Sequence, residues 1–439
     1  MTTSTHLLRR RRFLPLFLTQ LLNAFNDNLY KNAMVLFVVY SIYDSAESET
    51  FFSGLATGIF VLPFVLLSAT AGQLADMRDK RTIIRWIKFC EIIIMLGGAT
   101  GLMLAWNGLL IDWLAMPLMF AALLAMGVHS TFFGPIKYAI LPQHLKRKEV
   151  LAGTGLVEAG TYVAILGGMI LGGWLPVTWA AAMVIVVALA GYATCLSIPS
   201  APPLAGSEKV DWNILRASWS LMKFSFAHVE LRYSVLAISL FWTIAAILSV
   251  QFIPLAKNVL SADKEVASVM LVAFSAGIAI GSASINQLLK GKVSARYSAV
   301  SVIVMGLFLL AFYFLTKVWQ GPEDGSLLSV GQFIVQPQAI LLLVILLMIA
   351  IAGGMFVVPL YAFLTTKVDP SQASRSVAAN NLVSSLFMTV GAIFAAVMGL
   401  TGVPLSEQLL VNLVLCVASA ALGYTLFRHE THDHPEALG

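Results

Sequence analysis

Apolar runs of eighteen residues or more recur along almost the whole of this 439-residue sequence. Runs of that length cross the hydrocarbon core of a bilayer as helices, because a helix satisfies its backbone N–H and C=O groups within its own segment. The charge content agrees: only 11% of residues are charged, against about 25% in a soluble domain. Short alternating segments, the mark of a membrane β-barrel, are not seen. The pattern predicts an all-α integral membrane protein with spans at 13–42, 52–75, 82–106, 113–142, 149–174, 177–198, 232–256, 266–289, 297–317, 338–366, 375–400 and 406–428.

The connectors predict an orientation. Arg9 to Arg12 precede the first span, and Arg78, Lys80 and Arg81 follow the second. Lys146, Arg147 and Lys148 follow the fourth, Lys290, Lys292 and Arg296 the eighth, and Lys367 and Arg375 flank the turn between the tenth and eleventh. The alternate connectors hold Asp44, Glu47, Glu49, Asp112, Glu323, Asp324 and Glu407, with Lys257, Lys264 and Lys317 as their only basic residues. Lys and Arg mark the cytoplasmic side, so both termini are expected inside. The sequence pI near 9.0 then reflects topology rather than nucleic-acid binding. The first apolar run is too long for a signal-peptide core and no small-residue cleavage site ends it, so it counts as a span. Cys90, Cys195 and Cys416 form neither a metal nor a disulfide pattern. The tail "RHETHDH" carries three histidines and is read as solvated rather than metal-binding.

Residues 199–231 form the longest cytoplasmic connector. It opens with the breaker-rich "PSAPPLAGSE" and continues with "DWNILRASWSLMKFSF". There Trp212, Leu215, Trp219, Met222 and Phe226 repeat at helical spacing, edged by Arg216 and Lys223, as in a helix lying on the inner leaflet. The expected organisation is a six-span half at 1–198, this linker, and a second half at 232–439. The halves echo each other: Ala152, Gly155, Leu156, Val157 and Glu158 match Ala378, Asn381, Leu382, Val383 and Ser384, and Pro135 and Tyr138 lie upstream as Pro359 and Tyr361 do. Two parallel six-helix halves are the arrangement of the major facilitator superfamily.

The second connector, "GQLADMRDKRT", resembles that superfamily's loop motif at Gly72, Asp76, Arg78, Asp79, Lys80 and Arg81. Gly72 permits close approach of a neighbouring helix. Asp76 can accept from the orphan N–H groups at a helix start and favour its positive end. The basic residues can pair across the halves. In that family the loop latches the cytoplasmic side, so these residues are expected to gate. Small residues four apart fit the same architecture: Gly54 with Gly58, Gly168 with Gly172, Gly277 with Gly281, and Gly391, Ala395 and Gly399. They suit either a rocking seam between halves or tight packing within one.

A narrower resemblance rests on "LPLFLTQLLNAFNDNLYKN", "FFGPIKYAILPQ" and "GLVEAGTYVAILGG". Together these look like the lysophospholipid transporters of Gram-negative inner membranes, the kind often fused to an acyltransferase and an acyl-carrier-protein synthetase. The resemblance implies inward flipping of lysophosphatidylethanolamine and lysophosphatidylglycerol for re-acylation, with a phospholipid acyltransferase as functional partner. No acyltransferase segment follows span twelve, so a fused partner is expected to be absent or cut off. Some relatives carry a basic residue in span seven where this sequence has Ser249.

The first span is also the most polar. At about 100° per residue, Gln20, Asn23, Asp27 and Lys31 share one face, with Asn28 and Asn32 on one flank and Asn26 on the other. An ionised side chain at the bilayer centre costs several kcal/mol, so the stripe must face a cavity or a partner. As a headgroup site, Asp27 would attract an ammonium, Asn23, Asn26 and Asn28 would donate to phosphate or glycerol, and Lys31 would take the phosphate charge. Alternatively Asp27 and Lys31 pair at i,i+4, or Lys31 snorkels outward. Lys137 and Glu158, on antiparallel neighbours at similar depth, are expected either to pair as part of an inner gate or to form a static strut. Lys88 and Glu91, near the cytoplasmic end of span three, read as a local pair, and His129 as a satisfied core histidine. Gln251, Asn380 and Asn381 are the expected polar lining of the second half.

Catalytic and phosphate-loop motifs are missing, so the expectation is a monomeric secondary transporter, not an enzyme, with no cofactor and no nucleic-acid partner. The alternative is a proton-coupled efflux antiporter for cationic amphiphilic drugs, with Asp27 or Glu158 carrying the proton.

Overall fold

The computed structural model describes residues 6–42, 46–204, 210–322, 326–401 and 403–433. Asp44, Glu323, Asp324, His434 and part of the linker lie outside the described residues, as do the side chains of Glu47, Glu49, Lys264 and His432. Six long helices come first: α1 Leu14–Ser41, α2 Ala46–Met77, α3 Lys80–Trp106, α4 Met116–Ala139, α5 Arg147–Trp174 and α6 Val177–Cys195. After the shorter α7, Ile214–Ala227, come α8 Val229–Asn258, α9 Lys264–Leu288, α10 Ser298–Val318, α11 Pro337–Thr366, α12 Ala373–Leu400 and α13 Leu405–Asp433. Among the described residues the only β feature is an isolated bridge between Ala262 and Leu328.

Eleven of the twelve long helices are long and apolar enough to cross a bilayer. The exception is α1. Its 28 residues are ample, but its asparagines, Asp27 and Lys31 lower its hydropathy. The expected 113–142 span is found as Ile111–Ala139. A π turn at Ile111–Ala115 precedes α4, and α4 gives way at Ile140 to a separate turn, Leu141–His144, that carries Pro142.

The helices form two compact units. The first holds Met1–Phe224 together with Val368–Leu382, so the start of α12 packs with the N-terminal helices. Its core joins Tyr30 and Met34 of α1, Met95 and Leu102 of α3, Met119, Leu123 and Met126 of α4, and Val184 and Ala188 of α6. Glycines bring α5 onto α1: a Cβ at Gly172 would lie 2.9 Å from the Leu29 carbonyl, and Gly168 sits against that of Phe25. The second unit holds Ser225–Lys367 and Val383–Gly439. There a Cβ at Gly277 would lie 2.6 Å from the Leu347 carbonyl, and Gly281 rests on Ile351, so the same device joins α9 to α11. These four glycines therefore serve packing within a unit rather than a moving seam. Removing the side chain lets backbones approach and gain dispersion contacts, which is what holds helices together where lipid is as apolar as the protein. Gly58 and Gly399 meet nothing within 4 Å.

Each unit also ties the connector after its second helix to the end of its sixth. Asp79 caps α3 by accepting from the Arg81 N–H at 2.8 Å, and it takes the Ala201 N–H at 3.2 Å and the Ser200 hydroxyl beyond α6. Burial raises this carboxyl, but those donors outweigh it and hold Asp79 below the ordinary carboxylate range. In the second unit buried Glu430 of α13 accepts from the Ala295 N–H at 2.9 Å and the Ser294 hydroxyl at 3.0 Å. The linker helix α7 buries Ala217 and Leu221 against Ala69, Ala378, Ala379 and Leu382. Trp212, Leu215 and Trp219 point away, exposed by 72%, 82% and 72%. Arg216 spends its charge on Asp211 at 2.6 Å.

The glycine contacts give a packing test. Gly172→Leu and Gly277→Leu should each destabilise the detergent-solubilised protein by about 1–3 kcal/mol, the usual cost of overpacking. Gly58→Ala, in open space, should not. Thermal unfolding followed by size-exclusion chromatography separates the three.

Candidate functional site

The polar stripe of α1 does not act as one surface. Its residues reach in four directions. Asn28 donates to the Ala24 carbonyl of its own helix at 2.8 Å, and Asn32 donates to the Met169 carbonyl of α5 at 2.6 Å. Thr161 of α5 donates to Gln20 at 3.0 Å. Asn26 turns inward, donating to Glu91 of α3 at 2.9 Å and to the Val184 carbonyl of α6 at 3.2 Å. Asn26 thus gives both amide hydrogens to neighbouring helices, and Asn28 gives one to its own helix.

What remains is Asn23, Asp27 and Lys31. Asn23 donates to Asp27 Oδ2 at 3.2 Å, and the Ser130 hydroxyl of α4 donates to the same oxygen. The other oxygen, Oδ1, is buried without a hydrogen bond. Lys31 makes no ion pair with Asp27 within 4.0 Å. Its ammonium lies 5.4 Å from the centroid of the Phe60 ring of α2, a cation–π arrangement. The i,i+4 pair weighed from the sequence is not formed. The charge of Asp27 still acts on Lys31 one turn away.

Behind Asp27 lies a cluster that sequence reasoning left in pieces. Lys88 of α3 pairs with Glu91, as the spacing suggested. Glu91 lies near the middle of α3, Lys80–Trp106, rather than near its end, however. It meets Asn26, close to the midpoint of α1. His129 of α4 places Nε2 3.4 Å from Glu91 Oε2 and Nδ1 3.5 Å from Ser130 Oγ. Lys88 also reaches Asn23 Oδ1 at 3.4 Å. The contacts close into a ring: Asp27, Asn23, Lys88, Glu91, His129, Ser130 and back to Asp27. Lys88 and Glu91 are fully buried and His129 nearly so. His129 thus lies beside a charged network with Nε2 left without a hydrogen bond, and is not the satisfied core histidine expected. The available signal was that Glu91, His129 and Asp27 all fall near the middle of their helices.

Lys137 and Glu158 form no ion pair within 4.0 Å. Lys137 stacks over Tyr138, 4.9 Å from its centroid, and feels the charges of both Glu158 and Asp27. In the second unit Gln251 of α8 donates to Gln408 of α13 at 3.4 Å. Asn380 and Asn381 belong with the first unit. Asn380 is buried, and the Asn381 amide comes within 2.9 Å of where a Gly134 Cβ would be.

The connector motif is built as a helix clasp. Asp76 Oδ1 accepts the Ser374 N–H at 2.9 Å and Oδ2 the Arg375 N–H at 3.0 Å. Both are first-turn donors of α12 with no helical partner, and the carboxylate sits at the positive end of the helix. Gly72, one turn earlier, makes room: a Cβ there would lie 3.1 Å from Arg375 Cα. The Arg375 guanidinium adds a longer contact at 3.9 Å. Among the motif's basic residues, Lys80 is buried in the field of Asp76 and Asp79. Arg78 is exposed, with Nη1 3.4 Å from the adjacent Met77 carbonyl. The crossing to α12 is made by the aspartate, not by the arginine and lysine.

Comparison with known proteins fits this architecture. The family model of the major facilitator superfamily matches residues 16–336. The lysophospholipid transporter LplT of Shigella flexneri is 24% identical over 394 residues, covering 88% of each chain. That of Photorhabdus laumondii is 24% identical over 357 residues, covering 79% of this chain and 78% of its own. Among solved structures, the human organic anion transporter MFSD10 aligns with a TM-score of 0.70 at 14% identity, covering 94% of this chain and 99% of that one. The transporter FucP in its outward conformation aligns at 0.69 and 12% identity, covering 95% and 99%. At such identity these structures speak to the fold alone. The chain belongs to the major facilitator superfamily, and within it is similar to the lysophospholipid transporters.

Proposed function

We propose that this protein moves lysophospholipids, with lysophosphatidylethanolamine and lysophosphatidylglycerol as first candidates, from the outer to the inner leaflet of the bacterial cytoplasmic membrane by alternating access. Both termini lie in the cytoplasm in this reading, and the chain works as a monomer. A phospholipid acyltransferase consumes the product on the inner side. The observation that carries the reading is the pair of uncommitted groups on α1. Asp27 Oδ1 has no hydrogen bond, and one turn on, the Lys31 ammonium has an aromatic face but, among the described residues, no carboxylate within 4.0 Å. Phosphoethanolamine presents the complementary pair, an ammonium and a phosphate, on a short tether. Asn23 holds Asp27 from behind. Lys137 and Glu158 stand nearby as inner-gate residues. Similarity along most of the chain to proteins named as lysophospholipid transporters supports the same substrate class.

The clasp at Asp76 supplies the gate. A pair of charge-assisted hydrogen bonds to a helix start can form and break as α12 moves, without a covalent or metal link. Gly72 lets the helices close, and Lys80 and Asp79 fix the connector that carries Asp76. Asn380 and Asn381, which belong with the first unit, are neutral and would add to the polar surround of the headgroup.

A second reading, proton-coupled export of cationic amphiphiles, draws on the buried carboxylates: Asp27 without Lys31 would suit a lone cation. Uptake and acylation of labelled lysophosphatidylethanolamine in spheroplasts decides between them. Lys31→Gln should lower uptake about 10- to 100-fold for both lysolipids, the worth of one charge-assisted contact to phosphate. Asp27→Asn should harm lysophosphatidylethanolamine more than lysophosphatidylglycerol, which has no ammonium. Uptake no greater than in cells lacking the protein would sink the lipid reading. Asp76→Ala, which strips two acceptors from α12, should lower turnover while leaving substrate affinity within about twofold, since the clasp lies outside the headgroup site; equilibrium binding beside initial-rate uptake checks this.

A further inference from the structure

Helices α3 and α6 pack side by side, and the seam between them is filled differently in its two halves. In the half nearer Lys80, aromatic side chains cover it: the Trp86 and Phe89 rings of α3 meet edge to face at 6.2 Å, and Phe89 lies 6.3 Å from Tyr192 of α6. In the other half the facing residues are small. Ala99 and Thr100 of α3 and Ala181 and Ala182 of α6 line an open groove of about 440 Å³. Ala99 and Ala181 are buried at its floor, while Thr100 and Ala182 are exposed along its rims. Both helices are long and apolar enough to span a bilayer, so the open side of the groove faces lipid. A hollow there forfeits dispersion contacts unless something apolar lies in it.

The groove has the length of one leaflet. It begins at Asn107 and Thr178 and runs down to Leu96 and Ile185. The eleven-residue step from Asn107 to Leu96 is about 16 Å of helix, and half of the hydrocarbon core is about 15 Å. Exposed Trp106, Trp174 and Trp179 stand at the Asn107 end of α3, α5 and α6, as the aromatic belt of a membrane interface does. The groove is separate from the candidate headgroup site. Helices α3 and α6 meet α1 where Asn26 donates to Glu91 and to the Val184 carbonyl, and the groove lies on another face of both.

Charge at the mouth selects the headgroup. Asn107 donates to the Met103 carbonyl at 2.7 Å, which leaves its Oδ1 as an acceptor. Asp112, exposed on the connector that continues from α3, is the one charged residue in the connectors 107–115 and 174–176. No Lys or Arg falls between Lys88 and Lys137 or between Lys148 and Lys209. The mouth therefore suits an ammonium and opposes a headgroup with net negative charge.

We propose that this groove holds one acyl chain of a two-chain phospholipid with an ammonium headgroup, of the phosphatidylethanolamine type, as a resident lipid that fills the α3–α6 seam. Its ammonium sits by Asp112 and Asn107, and its second chain stays in the bilayer along the open side. With both termini in the cytoplasm, as proposed above, the lipid belongs to the outer leaflet; that assignment alone rests on the transport reading.

Lipid retention by the delipidated, full-length protein in detergent tests this. Native mass spectrometry counts bound lipid at equal concentrations of dioleoyl phosphatidylethanolamine, dioleoyl phosphatidylglycerol and oleoyl lysophosphatidylethanolamine. Wild type should retain one phosphatidylethanolamine with about tenfold preference over phosphatidylglycerol, the worth of one hydrogen bond to a charged group. Ala182→Phe and Thr100→Phe fill the groove from opposite rims, and each should lose that lipid while eluting as wild type does on size exclusion. Val186→Phe, exposed one turn further along α6 and outside the groove, should keep it. Asp112→Asn should still retain lipid but lose the preference. Retention by both groove-filling variants equal to that of wild type would overturn the proposal. A preference undiminished in Asp112→Asn would overturn the headgroup assignment. Tighter retention of the lysolipid than of the two-chain lipid would overturn the resident lipid and make the groove a cargo site.

Discussion

An ionised side chain in the hydrocarbon layer must find its counter-charge inside the protein, and the first unit is arranged around that requirement. Helix α1 brings Asp27 to mid-membrane, α3 brings Lys88 and Glu91, and α4 brings His129. None of them could sit alone at that depth. Drawn together, they leave the lipid-facing side of three helices apolar. Asn26, reaching both Glu91 and the α6 backbone, ties a fourth helix to the same point. Buried ion networks are weak evidence of stability but a well-attested means of fixing register or switching. Here the register they fix is that of α1, which carries the candidate headgroup site.

A single helix thus serves two purposes. Its inward flank is consumed by the ring and by ties to α5 and α6. Its remaining edge presents Asp27 Oδ1 and Lys31. The ring ends on Asp27, so the charge state behind that carboxylate is felt at the site in front of it. The clasp at Asp76 is a separate device, also electrostatic, also dependent on a close approach that a glycine permits.

Much of the architecture was legible in the sequence because its causes are local. Apolar length identifies spans, and Gly72 with Asp76 announces a carboxylate near a helix start. The linker's exposed Trp212, Leu215 and Trp219 follow from helical spacing alone. The polar stripe of α1 was also visible as a stripe. Its division was not. Asn26, Asn28 and Asn32 are alike in sequence and differ only in which neighbour lies opposite: Glu91, the helix's own backbone, or α5. The four glycines at four-residue spacing were equally ambiguous, since the pattern says that a backbone comes close but not which one.

The sequence by itself determined that this chain is a bundle of membrane helices in two related parts, because hydrophobic length, charge asymmetry and the repeat are properties of the chain. It also determined that α1 must hide a charged face. Only the tertiary structure decided how. Asn26 finds Glu91 across 65 residues, Ser130 finds Asp27 across 103, and Asp76 finds the α12 start across 298. Such partners are chosen by helix rotation and packing, which depend on all neighbouring surfaces at once and leave no mark at the positions themselves.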